Sequence, residues 1–173
     1  LERIVKDFLQ FARPSEPHLV TVPAEQTLLE VHKLMEPQLM KSGIRLVLDT
    51  VASAQVNIDP QQIKQVLINL IQNAADSIGR DGTVTLRTRL DKKRINDQDM
   101  DAVILEVSET GKGIPPEAEK RLFDPFFTTK ETGTGLGLPI AARIVEKNGG
   151  ALQYQTRLEH GTTFGIILPQ QTS

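Results

Sequence analysis

The apolar residues of this chain change period again and again, and most changes fall at a turn residue. Helical spacing holds over residues 1–13 (Leu1, Ile4, Val5, Phe8, Leu9, Phe11) and over 23–41 (Leu28, Val31, Met35, Leu39). It returns after Asp59 (Ile63, Val66, Leu67, Leu70, Ile71) and from about Leu138 to Lys147. Between these lie short strand-like runs at 19–22, 44–48, 55–58, 83–90, 103–107, 151–158 and 163–168. Glycine turns at Gly79–Gly82 and at Glu159-His160-Gly161 join some of them tightly, and the charged stretch Asp91 to Asp101 reads as a hairpin loop. Helices interleaved with tightly joined strands predict an α/β fold: a two-layer sandwich with a mixed sheet packed on helices.

The helix ends carry their own signals. Arg13-Pro14 stops the first helix, and Ser42-Gly43 the second, in which Pro37 predicts a kink because it removes a donor and crowds the preceding turn. Asp59 reads as an N-cap with Pro60 at the first helical position and Gln62 placed to close a capping box. The opening amphipathic helix has no partner nearby in sequence, so residues 1–14 read as the end of a preceding helical bundle or coiled coil. Residues 15–22 read as linker and first strand, 20–169 as one domain, and 170–173 as a tail.

Composition narrows the classes. With 173 residues, 39% of them hydrophobic, the chain can build a core without disulfides or metals. A net charge of -2 lacks the basic footprint of a nucleic-acid binder. The absence of cysteine excludes thiolate sites and fits a reducing cytoplasm. No apolar run approaches the roughly 20 residues of a membrane span, which predicts a soluble piece without membrane contact and leaves open a membrane anchor elsewhere in its parent.

Four stretches carry chemistry. Asn69 and Asn73 lie one helical turn apart, away from the apolar stripe. An isolated pair of this kind reads most simply as a solvated face, yet an amide carbonyl is also a neutral hard ligand for magnesium. Glu109-Thr110-Gly111-Lys112-Gly113-Ile114 follows an apolar strand, and its glycines permit close approach to the backbone. Phe123-Asp124-Pro125-Phe126-Phe127 reads partly as a hydrophobic corner, leaving Thr128, Thr129 and Lys130 to face a ligand. Gly133-Thr134-Gly135-Leu136-Gly137-Leu138 opens a helix, where free backbone donors and the positive helix end suit phosphate. It has neither the Gly-Lys-Thr/Ser ending of a P-loop nor the spacing of a dinucleotide fingerprint.

Taken in order, Asn69-x-x-x-Asn73-Ala74, Thr110-Gly111-x-Gly113-Ile114-Pro115, Phe123 to Phe127 and Gly133-x-Gly135-x-Gly137-Leu138 resemble the asparagine, first glycine, phenylalanine and second glycine boxes of sensor histidine kinases. Gly161-Thr162-Thr163-Phe164 resembles a third glycine element, so the resemblance spans roughly residues 20–169. Those kinases share the nucleotide-binding fold of DNA gyrase and of the mismatch-repair and heat-shock chaperone ATPases. The resemblance implies ATP and Mg2+ bound between a sheet-and-helix core and a mobile lid over residues 128–137. It makes Asn73 the metal ligand, Asn69 a support for the phosphates, Lys130 a phosphate neighbour and Glu109 the reader of the adenine amino group. Gly111, Gly113, Ile114, Phe127, Thr128, Thr129, Gly133, Gly135, Leu136, Gly137, Leu138 and Thr162 complete the implied nucleotide site. The family usually carries Asp where this chain has Glu109.

Three activities share such a fold. Hydrolytic relatives carry a glutamate four residues before the metal asparagine, and Asn69 in that place is no general base. A non-catalytic nucleotide-binding module is the other alternative, favoured only by Glu109. Residues 1–14 resemble the end of a dimerisation and phosphoacceptor domain, which favours a kinase acting on a histidine of that helical domain, within a homodimer and with a response regulator downstream. Phe-Phe-Thr-Thr-Lys followed by Gly-Thr-Gly-Leu-Gly-Leu is similar to the nitrogen-sensor branch. None of His18 (linker), His32 (helix packing) or His160 (hairpin turn) fits the acceptor, and they are too scattered to bind a metal.

Overall fold

The computed structural model describes residues 2–13, 15–50, 54–127 and 137–171. In chain order the elements are α1 (Glu2–Ala12), β1 (Val20–Pro23), α2 (Ala24–Met40), β2 (Ile44–Asp49), β3 (Gln55–Ile58), α3 (Pro60–Ile78), β4 (Gly82–Ile95), β5 (Gln98–Glu109), α4 (Pro116–Glu119), α5 (Gly137–Lys147), β6 (Ala151–Arg157) and β7 (Gly161–Gln171). The strands form a seven-stranded sheet in the order β1-β3-β7-β5-β4-β2, with β6 also paired to β7. β2 runs parallel to β4 and the other pairs are antiparallel, so the sheet is mixed as expected.

One face of the sheet carries the core. Alternation along β5 turns Val103, Leu105 and Val107 towards the helices, where they meet Leu28, Val31, Met35 and Leu39 of α2, the apolar stripe of α3, and Ile140, Ala141, Ile144 and Val145 of α5. The opposite face holds a small buried cluster of Ile95, Ala102, Ile104 and Ile167. Beside it, Glu106 is held between Arg87 at 3.5 Å and Arg89 at 3.3 Å. Burial pulls the Arg89 pKa down, but hydrogen bonds to Glu106 and Asp91 outweigh it and leave the guanidinium raised.

Three local expectations are corrected. The segment Asp91 to Asp101 is strand almost throughout, and the turn shrinks to Asn96 and Asp97, at φ +51° and +64°. Two consecutive left-handed residues suit the right-handed strand twist, and Asn and Asp tolerate that conformation. Burial of Ile95, with Met100 packed on its cluster, extends the pairing past the charges. Helix α2 runs from Ala24 to Met40 with Pro37 inside it, and Met35 and Leu39 are buried on either side of the proline. Of the presumed tail, Gln170 and Gln171 pair with Val56 and Gln55 of β3.

The third correction concerns the start of α3. Asp59 caps it as expected, accepting from Gln61 N at 3.1 Å and Gln62 N at 3.2 Å. Gln62 does not return the bond. Its side chain donates to Ser15 O and accepts from Asn148 Nδ2, while the Asp59 N–H donates to Asn148 Oδ1 at 2.8 Å. Asn148 is buried and also donates to Ile144 O, so it locks the end of α5 to the start of α3.

Candidate functional site

Helix α3 and strand β5 bring the first two motifs together. The apolar stripe of α3 packs on the sheet, which leaves Asn69 and Asn73 half-buried on a flank of the helix. Glu109 ends β5 in the same alternation as Val103, Leu105 and Val107, so it points to the helix layer. Asn69, Asn73, Glu109, Gly113, Ile114, Phe127, Gly137, Leu138 and Thr162 all line one cleft of about 970 Å3. That volume is in the range of small-molecule sites.

Glu109 is 6% exposed. Gly111 N donates to its Oε2 at 2.8 Å, and a Cβ at Gly111 would collide with that oxygen and with Ser77 Oγ. Gly111 is therefore the residue that lets the carboxylate fold back on its own loop. The other oxygen, Oε1, is buried with no hydrogen-bond partner among the described residues. An orphaned carboxylate oxygen in a cleft costs free energy and is complementary to a donor on a ligand.

The loop after Glu109 is clamped by β6 and the turn that follows it. Gly113 has φ +79°, and its Cα faces the Arg157 carbonyl so closely that a Cβ would stand 2.5 Å from it. Glu159 N donates to Lys112 O at 2.8 Å, and Ile114 N donates to Thr156 Oγ1 at 2.8 Å. The turn between β6 and β7 thus fixes the backbone that fixes Glu109.

Asn69 Nδ2 donates to Gly137 O at 2.8 Å, tying α3 to the first residue of α5. Asn73 is partnered as well. The three phenylalanines separate. Phe123 packs on Tyr154 at 5.9 Å, and Tyr154 on Phe164 at 5.8 Å, which anchors the turn to the sheet. Burial, then the Glu119 charge, pushes the Tyr154 pKa up. Phe126 is exposed, at φ +69°, and stacks on Phe8 of α1 at 6.3 Å. Phe127 faces the cleft with Arg121 4.6 Å from its ring centroid.

Thr128, Thr129, Lys130, Gly133, Gly135 and Leu136, with the expected lid, lie outside the described residues. Sequence reasoning missed Ser77 and Lys112 in the cleft lining, and Thr156 behind it. Ser77 stands one turn beyond Asn73 on the same helix, a spacing that carries its own signal. Thr156 had no such signal, because its partners are 42 and 6 residues away.

Residues 58–172 match the model of the histidine kinase-, DNA gyrase B- and HSP90-like ATPases, and the chain belongs to that family. Within it, the likeness is to sensor histidine kinases. The sensor histidine kinase ZraS of Salmonella typhimurium (strain LT2) is 33% identical over 170 residues, 98% of this chain and 35% of that protein. The nucleotide-free catalytic domain of histidine kinase ThkA superposes with a TM-score of 0.75 at 33% identity, covering 88% of this chain and 96% of that one. ThkA in complex with the response regulator protein TrrA gives 0.78 at 31% identity, over 98% of this chain and 47% of that one. Full-length ShkA in complex with AMPPNP gives 0.80 at 29% identity, over 99% of this chain and 36% of that one. The chain thus spans about a third of the length of its ZraS relative.

Proposed function

We propose that the chain is the ATP-binding catalytic portion of a two-component sensor histidine kinase. It transfers the γ-phosphoryl group of ATP to a histidine on a helical phosphoacceptor domain of the same protein, of which residues 1–14 are the end. The observation that carries the reading is the Glu109 carboxylate, with Oε2 fixed by Gly111 and Oε1 buried without a hydrogen-bond partner among the described residues. A fixed acceptor of this kind takes the amino group of adenine and repels the oxygen that guanine carries there.

The remaining residues suit positioning and charge neutralisation, the main work of phosphoryl transfer. Asn73 would hold Mg2+, which supplies neutralisation of phosphate charge when bound. Among the described residues no group of three or more His, Cys, Asp or Glu could hold a metal, and a neutral amide with substrate phosphates fits magnesium's habits. Asn69 holds the start of α5 through Gly137 and cannot activate water, which favours transfer over hydrolysis. Lys130 and the segment 128–137 complete the phosphate side in this reading, with Gly133, Gly135 and Leu136 within it.

The acceptor is none of this chain's histidines. His32 Nε2 is 2.8 Å from Leu46 O and His160 Nδ1 3.0 Å from Leu158 O, and neither they nor His18 line the cleft. A response regulator downstream, a homodimeric parent and a cytoplasmic location follow from the same reading; no helix among the described residues is long and apolar enough to cross a membrane. Incubation with γ-labelled ATP and magnesium should leave the chain unlabelled, and adding the helical domain in trans should label that domain. Stable label on His18, His32 or His160, or steady phosphate release without an acceptor, would overturn the proposal.

A further inference from the structure

The short segment between α1 and β1 is fastened to the domain. Pro17 biases Glu16 towards extended backbone, and residues 15–18 belong to no helix or strand. Their polar groups are taken by α3 and α5 instead. Gln62 Nε2 donates to Ser15 O at 3.0 Å, Lys147 Nζ to Glu16 Oε1 at 2.7 Å, and His18 N to Asp59 Oδ2 at 2.9 Å. Those partners stand at the start of α3 and the end of α5, where Asn148 ties one helix to the other through Asp59 N and Gln62 Oε1.

The same two helices are tied again at the cleft, where Asn69 Nδ2 donates to Gly137 O. Between the two ties α3 advances from Asp59 to Asn69, and α5 runs the opposite way from Gly137 to Asn148. At 1.5 Å per residue these paths are about 15 Å and about 17 Å long. Matched lengths make the pair a frame braced at both ends. Asn69 and Gly137 line the cleft, whereas Asp59, Gln62 and Lys147 do not. A helix displaced by about 1–2 Å moves as a unit, and that distance breaks a hydrogen bond. A shift of α5 that opens the tie at the cleft therefore disturbs the contacts at the other end.

We propose that residues 15–18 are a latch whose hold is coupled, through α5, to occupancy of the cleft. The inference rests on the reading of the cleft as an ATP site. Phosphate oxygens are acceptors, and they compete with the Gly137 carbonyl for the Asn69 amide donor. A nucleotide that takes this donor frees the start of α5, and the far end carries Lys147 and Asn148 out of register with Gln62 and Asp59. Nucleotide thereby weakens the grip on 15–18. By reciprocity, loss of the grip strengthens nucleotide binding. What the latch holds is α1, which packs on α5, stacks Phe8 on Phe126 and places Asp7 in the cleft wall.

The test uses the whole chain, which has no cysteine and so takes spin labels at chosen sites. Lys6→Cys on α1 and Lys92→Cys on β4 are exposed positions for a labelled pair. Pulsed dipolar spectroscopy should give one narrow distance without nucleotide and a broad distribution with saturating ATP and magnesium. Two double variants loosen the latch from opposite sides. Gln62→Ala with Lys147→Ala removes partners on the helices and leaves Asn148 its bond to Ile144 O, while Glu16→Ala with His18→Pro alters the segment alone. Each should broaden the distance without nucleotide and tighten ATP roughly fivefold by calorimetry. A broad distribution in the nucleotide-free parent, a distance unchanged by bound ATP, or an ATP affinity within twofold of the parent in either double variant would overturn the inference while ATP binding upholds the site. Failure of the parent to bind ATP would overturn the site itself and this inference with it.

Discussion

Replacing Asp59 by Ala should unfold the start of α3 from three directions at once. Its side chain is buried, caps Gln61 N and Gln62 N, and accepts from His18 N at 2.9 Å. Loss of the cap costs about 1 kcal/mol, and loss of a buried bond to a charged group about 1.5–3 kcal/mol. The sum of about 2–4 kcal/mol is a large share of the roughly 5–15 kcal/mol that holds a domain folded. At about 2–4 °C per kcal/mol for a chain of this size, the midpoint should fall by about 4–16 °C. Asp59→Asn retains an oxygen for the cap but turns an N–H towards the His18 donor, so it should lose about half as much. Burial pushes the Asp59 carboxyl up, but the N–H groups of His18, Gln62 and Gln61 together outweigh it and hold the folded pKa below the ordinary value of 3.8. Its contribution is therefore fully present above about pH 4 and is lost as pH falls through the lowered folded value. Urea unfolding of parent and variant between pH 7 and pH 2 should show the gap between them closing below about pH 4. A gap under about 0.5 kcal/mol at pH 7, or one that stays constant down to pH 2, would refute this account.

Three further outcomes follow from the site and its frame. Asn73→Ala should abolish most of the magnesium dependence of nucleotide affinity, read by titration with and without the metal, while the unfolding midpoint moves little. Glu109→Ala should weaken ATP about tenfold to a hundredfold, the equivalent of the roughly 1.5–3 kcal/mol of a charge-assisted bond, and Glu109→Asp should report whether the longer arm crowds the base. Asn148→Ala strands the Asp59 N–H and frees the end of α5, so chemical denaturation should show a loss of about 2–3 kcal/mol.

The elements with strong periodicity were legible because their apolar residues must all face one way. The stripe of α3 and the alternation of β5 each bury residues that local sequence already aligns, so the helix layer, the sheet and the separation of Asn69 and Asn73 from the apolar stripe followed directly. The glycines at 111 and 113 were legible for a related reason, since a close backbone approach leaves no room for a side chain. The hairpin of β4 and β5 was misjudged because its charges suggested a loop. Pairing continued there because Ile95 and Met100 find cover on the outer face of the sheet, and nothing within the segment announces that cover.

What the amino-acid order determined by itself was therefore local: the period of each element, the cap at Asp59, and the boxes whose residue types suit phosphate and metal. Tertiary structure decided which groups share a proton. Asn148 replaced Gln62 as the partner of Asp59 N from 89 residues away. Asn69 was taken by the Gly137 carbonyl, 68 residues along the chain. Glu109 was left with one oxygen held and one without a partner among the described residues, and Thr156 came to stand behind Thr162. A hydrogen bond binds only over about 3 Å, and which distant groups come that close depends on how the layers pack, a quantity no local pattern encodes.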